Sequence, residues 1–468
     1  MKLEFYNTSG RKIEEFVPVS EGKAGFYCCG PTVYNYAHIG NLRTYVFEDL
    51  LRRVLAYAGY EINHVMNITD VGHLTDDGDD GEDKMEKSAR ETGRTVWDIA
   101  RHYTDAFFND TEKLNIIRPE VTCTATEHIQ EMIDLIKKLE EKGFTYLTGG
   151  NLYFDISKFP EYGKMALIDR QNLQAGARVA VDENKRNPGD FVLWFTKSKF
   201  ENHVMLWDSP WGKGYPGWHV ECSAMSMKYL GEHMDIHCGG VDHIPIHHTN
   251  EIAQSEGASG KKWVNYWLHG EFLLLKKAKM SKSSGSFLTL TSLEDMGFDP
   301  LDYRYFCLGG HYRSQLIFSE ESLEASKSAR KNLNERILKL KERGESGDLE
   351  KLDGKALEYL ESFRTHIARD LGVSRGLSDM WQLLKDPDVC DEDKLSIVLD
   401  MDRIFGLSLK DVKAEEKEGD PEIDALVEER NRSRSEKNFA RADEIRDELL
   451  ARGIEIKDSP QGTVWERK

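Results

Sequence analysis

Up to about residue 265 the chain alternates short continuous apolar runs with stretches whose apolar residues recur at helical spacing. The run AGFYCCG (24–30) predicts a buried strand, and Leu42, Val46, Leu50, Val54 and Leu55 predict a helix over 40–58. EINHVMNI (61–68) is a second strand, so 31–40 is a strand-to-helix loop. Strand, helix, strand with short connections predicts a doubly wound parallel sheet, whose ligands sit at the carboxyl ends of strands.

The pattern then changes. Thr124 and Glu127 have the spacing of a capping box before IQEMIDLIKKLEEKG, which Gly143 would end. TYLTGGNLYFDI predicts a hairpin turning at Gly149–Gly150. Helix and hairpin here predict a subdomain inserted at about 121–205. The alternation resumes with WHVECSAMSMKYL as a helix, MDIHCGG as a strand and IHHTNEIAQSEG as a helix.

Beyond 320, charged amphipathic segments poor in β-branched residues predict an α-helical domain over 320–409. A polar linker leads to a small module over 420–468. The expected organisation is a Rossmann-like domain from 1–120 and 206–265, the insertion 121–205, a connecting region 266–319, the helical domain and the C-terminal module.

Composition narrows the class. Over 468 residues, 39% hydrophobic content is that of a globular protein, and no apolar run approaches a membrane span. MKLEFYNTSGRKIEEF lacks the apolar core of a signal peptide, so a cytoplasmic location is expected. The seven cysteines then read as thiols or metal ligands rather than disulfides. The net charge of −19 argues against general attraction to nucleic acid, so any such contact must come from local basic stretches such as 326–343 and 430–446.

Four places carry chemistry. His38-Ile39-Gly40-Asn41 opens a helix, where backbone N–H groups and the helix dipole favour phosphate, and Gly40 permits close approach. KAKMSKSSGSF (277–287) puts Lys279 and Lys282 among serines and glycine, suited to neutralising a polyphosphate. Cys222, His237, Cys238, His243, His247, His248 and Glu251 are metal-capable, with His247 and Glu251 one helical turn apart. Cys222 and one of Cys28 and Cys29 complete a Zn²⁺-like set, but His219, Cys222, His243 and His247 have finger-like spacing too. Spacing leaves a catalytic metal, a structural metal and no metal all open. GGVDH (239–243) places Asp242 after a strand, suited to a ribose or amine. The acidic run 76–83 reads as a solvated loop.

HIGN and KMSKS (279–283) resemble the paired motifs of class I aminoacyl-tRNA synthetases. With YCCGPTVYNYAHIG, NITD (67–70), DFVLWF, GWHVECSAM, HHTNEIAQSEG, HYRSQLIFSEESL and the C-terminal NFARADEIRDELLARGIEIKDSPQGTVWERK, the chain resembles the cysteinyl-tRNA synthetase family over nearly its whole length. The resemblance implies ATP-dependent activation of L-cysteine and transfer to tRNA(Cys), with Mg²⁺ accompanying ATP and one Zn²⁺ binding the substrate thiol. It implies Cys29, Cys222, His247 and Glu251 as metal ligands. Gly30, Thr32 and Trp218 would border cysteine, and Asp242 the adenosine ribose. His38, Gly40 and Asn41 would hold ATP phosphates, with Lys282 and Lys279 compensating charge. It makes 420–468 an anticodon-recognition module and 266–319 a region against the tRNA stem.

Sulfur selection by a metal has a physical basis: size and polarity separate serine from cysteine by only about a hundredfold, whereas a metal–thiolate bond reads sulfur directly. Such a site needs no editing domain. Strand alternation sends Cys28 away from Cys29, to a buried structural position. Two residues depart from the family pattern: Asn41, where His is usual, and Cys238, where glycine is usual and a thiol adds an oxidation liability near the metal. A mycothiol-type cysteine ligase shares the adenylation chemistry but lacks a tail like 420–468, and a non-catalytic RNA-binding paralogue would not need both phosphate motifs. A monomer is expected.

Overall fold

The computed structural model describes residues 1–71, 84–168, 184–197, 204–276, 288–413, 420–459 and 462–467. Its centre is a five-stranded parallel sheet of β1 (Lys23–Cys28), β2 (Glu61–Ile68), β3 (Val121–Thr124), β4 (Met234–Gly240) and β5 (Val264–Gly270). The spatial order is β5-β4-β1-β2-β3. The order reverses between β1 and β4, and the carboxyl ends of those two strands open a crevice there.

Helix α1 (Ile39–Tyr57) begins in a capping box. Asn41 N donates to His38 Nδ1 at 3.1 Å and His38 N donates to Asn41 Oδ1 at 3.2 Å. Its buried stripe of Leu42, Val46, Leu51 and Val54 packs into a core on one face of the sheet. On the other face, α2 (Ile129–Glu141), α3 (Trp218–Leu230) and α4 (His247–Ser259) share a second core. That division into two faces is what a doubly wound sheet requires. Burying one Leu or Val of such a stripe contributes about 1.5–3 kcal/mol.

The Thr124–Glu127 capping box does not form. Thr124 is still paired in β3 opposite Ile68, so it has no freedom to cap a helix. The Asp70 carboxylate instead accepts from Thr126 N and Thr126 Oγ1, at 2.9 and 2.6 Å. The predicted hairpin forms, with Gly149 and Gly150 at φ of 59° and 93°, a two-residue turn that side chains disfavour.

The hairpin belongs to a four-stranded antiparallel sheet of residues 145–148, 151–154, 191–195 and 215–216. The expected edges of the insertion therefore shift. Residues 121–124 are the edge strand of the parallel sheet, and the antiparallel sheet runs on to Pro216, beyond residue 205. β5 likewise extends past residue 265.

Helices Glu320–Arg343, Gly354–Ala368, Val373–Lys385 and Asp391–Phe405 contribute to the same core as α1. Arg304, 0% exposed, joins them: it donates to Asp49 Oδ2 on α1 and to the carbonyls of Leu114, Asn115 and Phe405. Residues Met1–Val412 form one compact unit.

A second unit spans Lys413–Lys468. Helices Pro421–Ser435 and Phe439–Ala451 and a hairpin of Ile454–Ser459 with Gly462–Arg467 enclose Ile423, Val427, Ile445 and Leu449. Among the described residues no helix is long and apolar enough to cross a membrane.

Candidate active site

The crevice between β1 and β4 is a cleft of about 290 Å³. Its floor starts one residue past β1, at Cys29, which is 7% exposed. Gly30 follows, where a Cβ would lie 1.6 Å from the Asn67 carbonyl oxygen; only glycine lets the chain run this close to β2. Gly30 N donates to Asn67 Oδ1 at 2.9 Å, and Thr32 bridges to Thr69, so β2 holds the loop that leads to His38.

Two helices bring the other side chains in by one-turn spacing: Trp218 and Cys222 on α3, His247 and Glu251 on α4. The ligand atoms of Cys29, Cys222, His247 and Glu251 all lie within 4.8 Å of one another, and all four residues are buried. Cys29, His237, His248 and Glu251 form an overlapping set. The sets differ in direction: Cys29, Cys222 and His247 line the cleft, while His237 and His248 do not. Those two are engaged behind it. His237 Nε2 pairs with Glu251 Oε2 at 2.7 Å, and His248 Nδ1 with His269 Nε2 at 2.8 Å. The finger-like set of His219, Cys222, His243 and His247 is not gathered, and His219 Nδ1 instead meets His247 Nδ1 at 3.0 Å.

Electrostatics agree with a cation-binding cluster. Burial opposes charge on Glu251, but His247 and His237 outweigh it and hold its pKa at about 2. Burial also opposes charge on His247, yet Glu251 and Cys222 push its pKa up to about 10. Against burial, a hydrogen bond from Cys29 and the nearby His247 draw the Cys222 thiol down to about 7. Glu251 Oε1 is buried and lies 2.7 Å from His247 Nε2. A carboxylate, an imidazole and two thiols converging in one buried cluster are a donor set that fits zinc.

Cys28 and Cys238 lie elsewhere. They are partners in register across β1 and β4 and pack in the core on the α1 face, whereas Cys29 belongs to the opposite core. The expectation of a Cys238 thiol near the metal is therefore corrected: on β4, His237 faces the cluster and its neighbour Cys238 faces away.

The second end of the cleft is lined by His38, Asn41, Gly240 and Asp242. Burial lowers the His38 pKa, and the charge of Asp242 partly opposes this. Because His38 Nδ1 accepts from Asn41 N, neutral His38 carries its proton on Nε2. Asn41 Oδ1 accepts as part of the helix cap, which leaves the donor role to its Nδ2–H groups, and Ile39 N donates to Leu288 O. A Cβ on Gly40 would lie 2.9 Å from His38 Cε1. Lys279, Lys282 and the acidic run 76–83 lie outside the described residues.

Several site residues escaped the motif reading. His269 ends β5 and connects His248 to Thr8 Oγ1, at 2.8 Å on each side. Gln254 holds the His219 carbonyl at 3.0 Å. Tyr34, Tyr36 and Tyr103 form a third wall of the cleft. A position at a parallel strand's carboxyl end was a usable signal for His269. Tyr103 had none, since it comes from the helix Val96–Lys113 far along the chain.

The basic stretches are less available than expected. On the helix 320–343, Arg330 pairs with Asp302 and Asp299, Arg343 with Asp391, and Lys341 donates to three backbone carbonyls. In the second unit, Arg430 and Arg434 grip Asp458 and Arg441 meets Glu429, while Arg432, Lys437 and Arg446 are exposed.

Comparison with known proteins converges on one family. Residues 15–328 match the family described as the class I (C) tRNA synthetase catalytic domain, and 416–465 match the cysteinyl-tRNA ligase anticodon binding domain. The cysteine–tRNA ligase of Treponema denticola is 55% identical, and that of Borreliella burgdorferi 48%, each over all of both chains. A Mycobacterium tuberculosis methionyl-tRNA synthetase bound by methionyl-adenylate shares the fold, with TM-score 0.58 and 16% identity over 84% of this chain and 95% of that one. The chain belongs to the cysteine–tRNA ligase family of class I aminoacyl-tRNA synthetases.

Proposed function

We propose that the protein activates L-cysteine with ATP and esterifies it to the 3′ end of tRNA(Cys), selecting cysteine through its thiol. The observation that carries this reading is the clustering of the Cys29, Cys222, His247 and Glu251 donors, three of which line the same cleft as the helix mouth at His38. These four side chains would hold Zn²⁺, which when bound supplies a soft acceptor for a substrate thiolate and a poor one for a serine hydroxyl.

The chain's own residues do the rest by positioning and charge. Trp218, whose ring centre lies 4.4 Å from that of His247, walls the cysteine side chain, with Gly30 and Thr32 beside it. His38 Nε2–H and the Gly40 turn receive the triphosphate, Asn41 holds His38 in place, and Asp242 takes the ribose. No Lys or Arg is among the described residues lining the cleft, so Lys279 and Lys282 are assigned the charge released on pyrophosphate.

In the first step the cysteine carboxylate attacks the α-phosphorus and pyrophosphate leaves, with Mg²⁺ accompanying the nucleotide. In the second, a ribose hydroxyl of the terminal adenosine attacks the carbonyl carbon of cysteinyl-adenylate. An ester C–O bond forms, the acyl–phosphate C–O bond breaks, and AMP leaves with the electron pair; the hydroxyl proton passes to a phosphate oxygen of AMP. Neither step needs a protein nucleophile. The unit 413–468 recognises the anticodon, and the enzyme acts as a cytoplasmic monomer.

The test is cysteine-dependent ATP–pyrophosphate exchange and tRNA(Cys) charging, with metal analysis of Cys29→Ser and Cys28→Ser. Cys29→Ser loses metal and exchange; Cys28→Ser keeps both. A metal-replete, fully active Cys29→Ser would sink the ligand assignment, and an inactive wild type the function.

A further inference from the structure

We propose that Tyr36 and Tyr103 form the subsite that stacks the base of the tRNA's 3′-terminal adenosine, an inference that rests on the aminoacyl-transfer reading above. Three substrates must converge in the cleft, and it has three walls. The Cys29–Trp218 wall suits cysteine and the His38–Asp242 wall suits ATP. The third is built on Tyr36 and Tyr103.

Its chemistry matches a base and not a phosphate. Tyr36 is 46% exposed although it lines the cleft, so a large aromatic face is left open there. The ring is already fixed: its hydroxyl is 3.0 Å from His102 Nε2, and it meets Tyr103 edge-to-face at 5.0 Å and 89°. An edge-to-face pair covers only one face of one ring, the half-exposed Tyr36 keeps surface for stacking, and stacking on a held ring loses little side-chain entropy. Among the described residues the cleft lining holds no Lys or Arg, so what this wall presents is aromatic rings rather than cations for a phosphate backbone. Tyr36 is also two residues from His38, so a nucleoside stacked there has its ribose next to the phosphate end of the cleft, where the adenylate's acyl group must be attacked.

The test uses the full-length protein and its Tyr36→Ala, Tyr103→Ala and Tyr36→Phe variants. Three readouts apply: cysteine-dependent ATP–pyrophosphate exchange, single-turnover transfer from preformed adenylate to tRNA(Cys), and fluorescence of tRNA(Cys) carrying 2-aminopurine as its last base. Tyr36→Ala is expected to keep exchange and the KM for ATP within about twofold, while transfer falls roughly 10- to 100-fold. Tyr36→Phe, which keeps the ring, restores transfer and the quenching of 2-aminopurine that Tyr36→Ala loses. Unchanged transfer in both alanine variants overturns the proposal, as does a raised ATP KM in exchange, which would give the wall to the adenine of ATP. Absence of exchange in the wild type would instead overturn the proposed function.

Discussion

His237 Nε2 sits 2.7 Å from Glu251 Oε2, while Glu251 Oε1 lies 2.7 Å from Nε2 of the cleft-lining His247. One oxygen is thus oriented by His237, which does not line the cleft, and the other meets His247, a fellow candidate ligand. Removing the orienting imidazole should loosen the metal without removing a ligand. His237→Gln is expected to lower zinc affinity about 10- to 100-fold, read by chelator competition, while the fold survives by circular dichroism. Undiminished affinity would make the pair merely structural.

At the helix mouth, Asn41 closes the capping box on His38. Asn41→Ala should lower stability by about 1 kcal/mol, measured by denaturant unfolding, and slow pyrophosphate exchange. Asn41→Asp keeps the capping acceptor and favours the helix dipole, yet puts a negative charge beside the triphosphate. It should unfold like the wild type and exchange poorly. Equal exchange by Asn41→Asp and wild type would remove this helix mouth from nucleotide binding.

His64 carries an acid-side liability. It is 2% exposed, stacks on Phe26 at 4.2 Å, and neither ring nitrogen has a hydrogen-bond partner. Burial, with a contribution from Arg52, lowers its pKa to about 3. The folded value lies below the unfolded one, so between about pH 6.5 and 3 the unfolded chain binds a proton the native state refuses, and stability falls as pH falls. The loss amounts to about 1.4 kcal/mol one pH unit below the unfolded value. Comparing unfolding midpoints at neutral and mildly acidic pH, His64→Phe should lose less stability than the wild type. An identical loss in both would contradict the burial argument.

The unit 413–468 has its own core, so its removal should leave the other unit folded. A protein ending at residue 412 is expected to retain cysteine-dependent exchange and lose tRNA(Cys) charging. Because tRNA attraction must overcome a net charge of −19 with a few exposed cations such as Arg432, Lys437 and Arg446, full-length binding should weaken steeply with salt. Normal charging by the shortened protein would refute the assignment of this unit.

Local sequence determined much of this protein. Period-two and period-3.6 patterns set β1, α1, β2, α3, β4 and α4, because each buries a face whose spacing is a property of the backbone itself. Alternation alone separated Cys28 from Cys29, and the two phosphate motifs with the C-terminal segment were enough to name the family. Tertiary structure decided what depends on distant segments meeting. It showed that Thr124 is held in β3 by Ile68 and cannot cap a helix, and that Asn41 caps α1 through His38. It divided the metal-capable residues by direction, turning Cys222, His243 and His247 toward the cleft and leaving His237 and His248 out of its lining. It also joined Tyr103 to Tyr36 across 67 positions of sequence. Spacing along a chain fixes which side chains share a face, but which faces meet is set by sheet order and helix packing, and those follow from burial over the whole molecule.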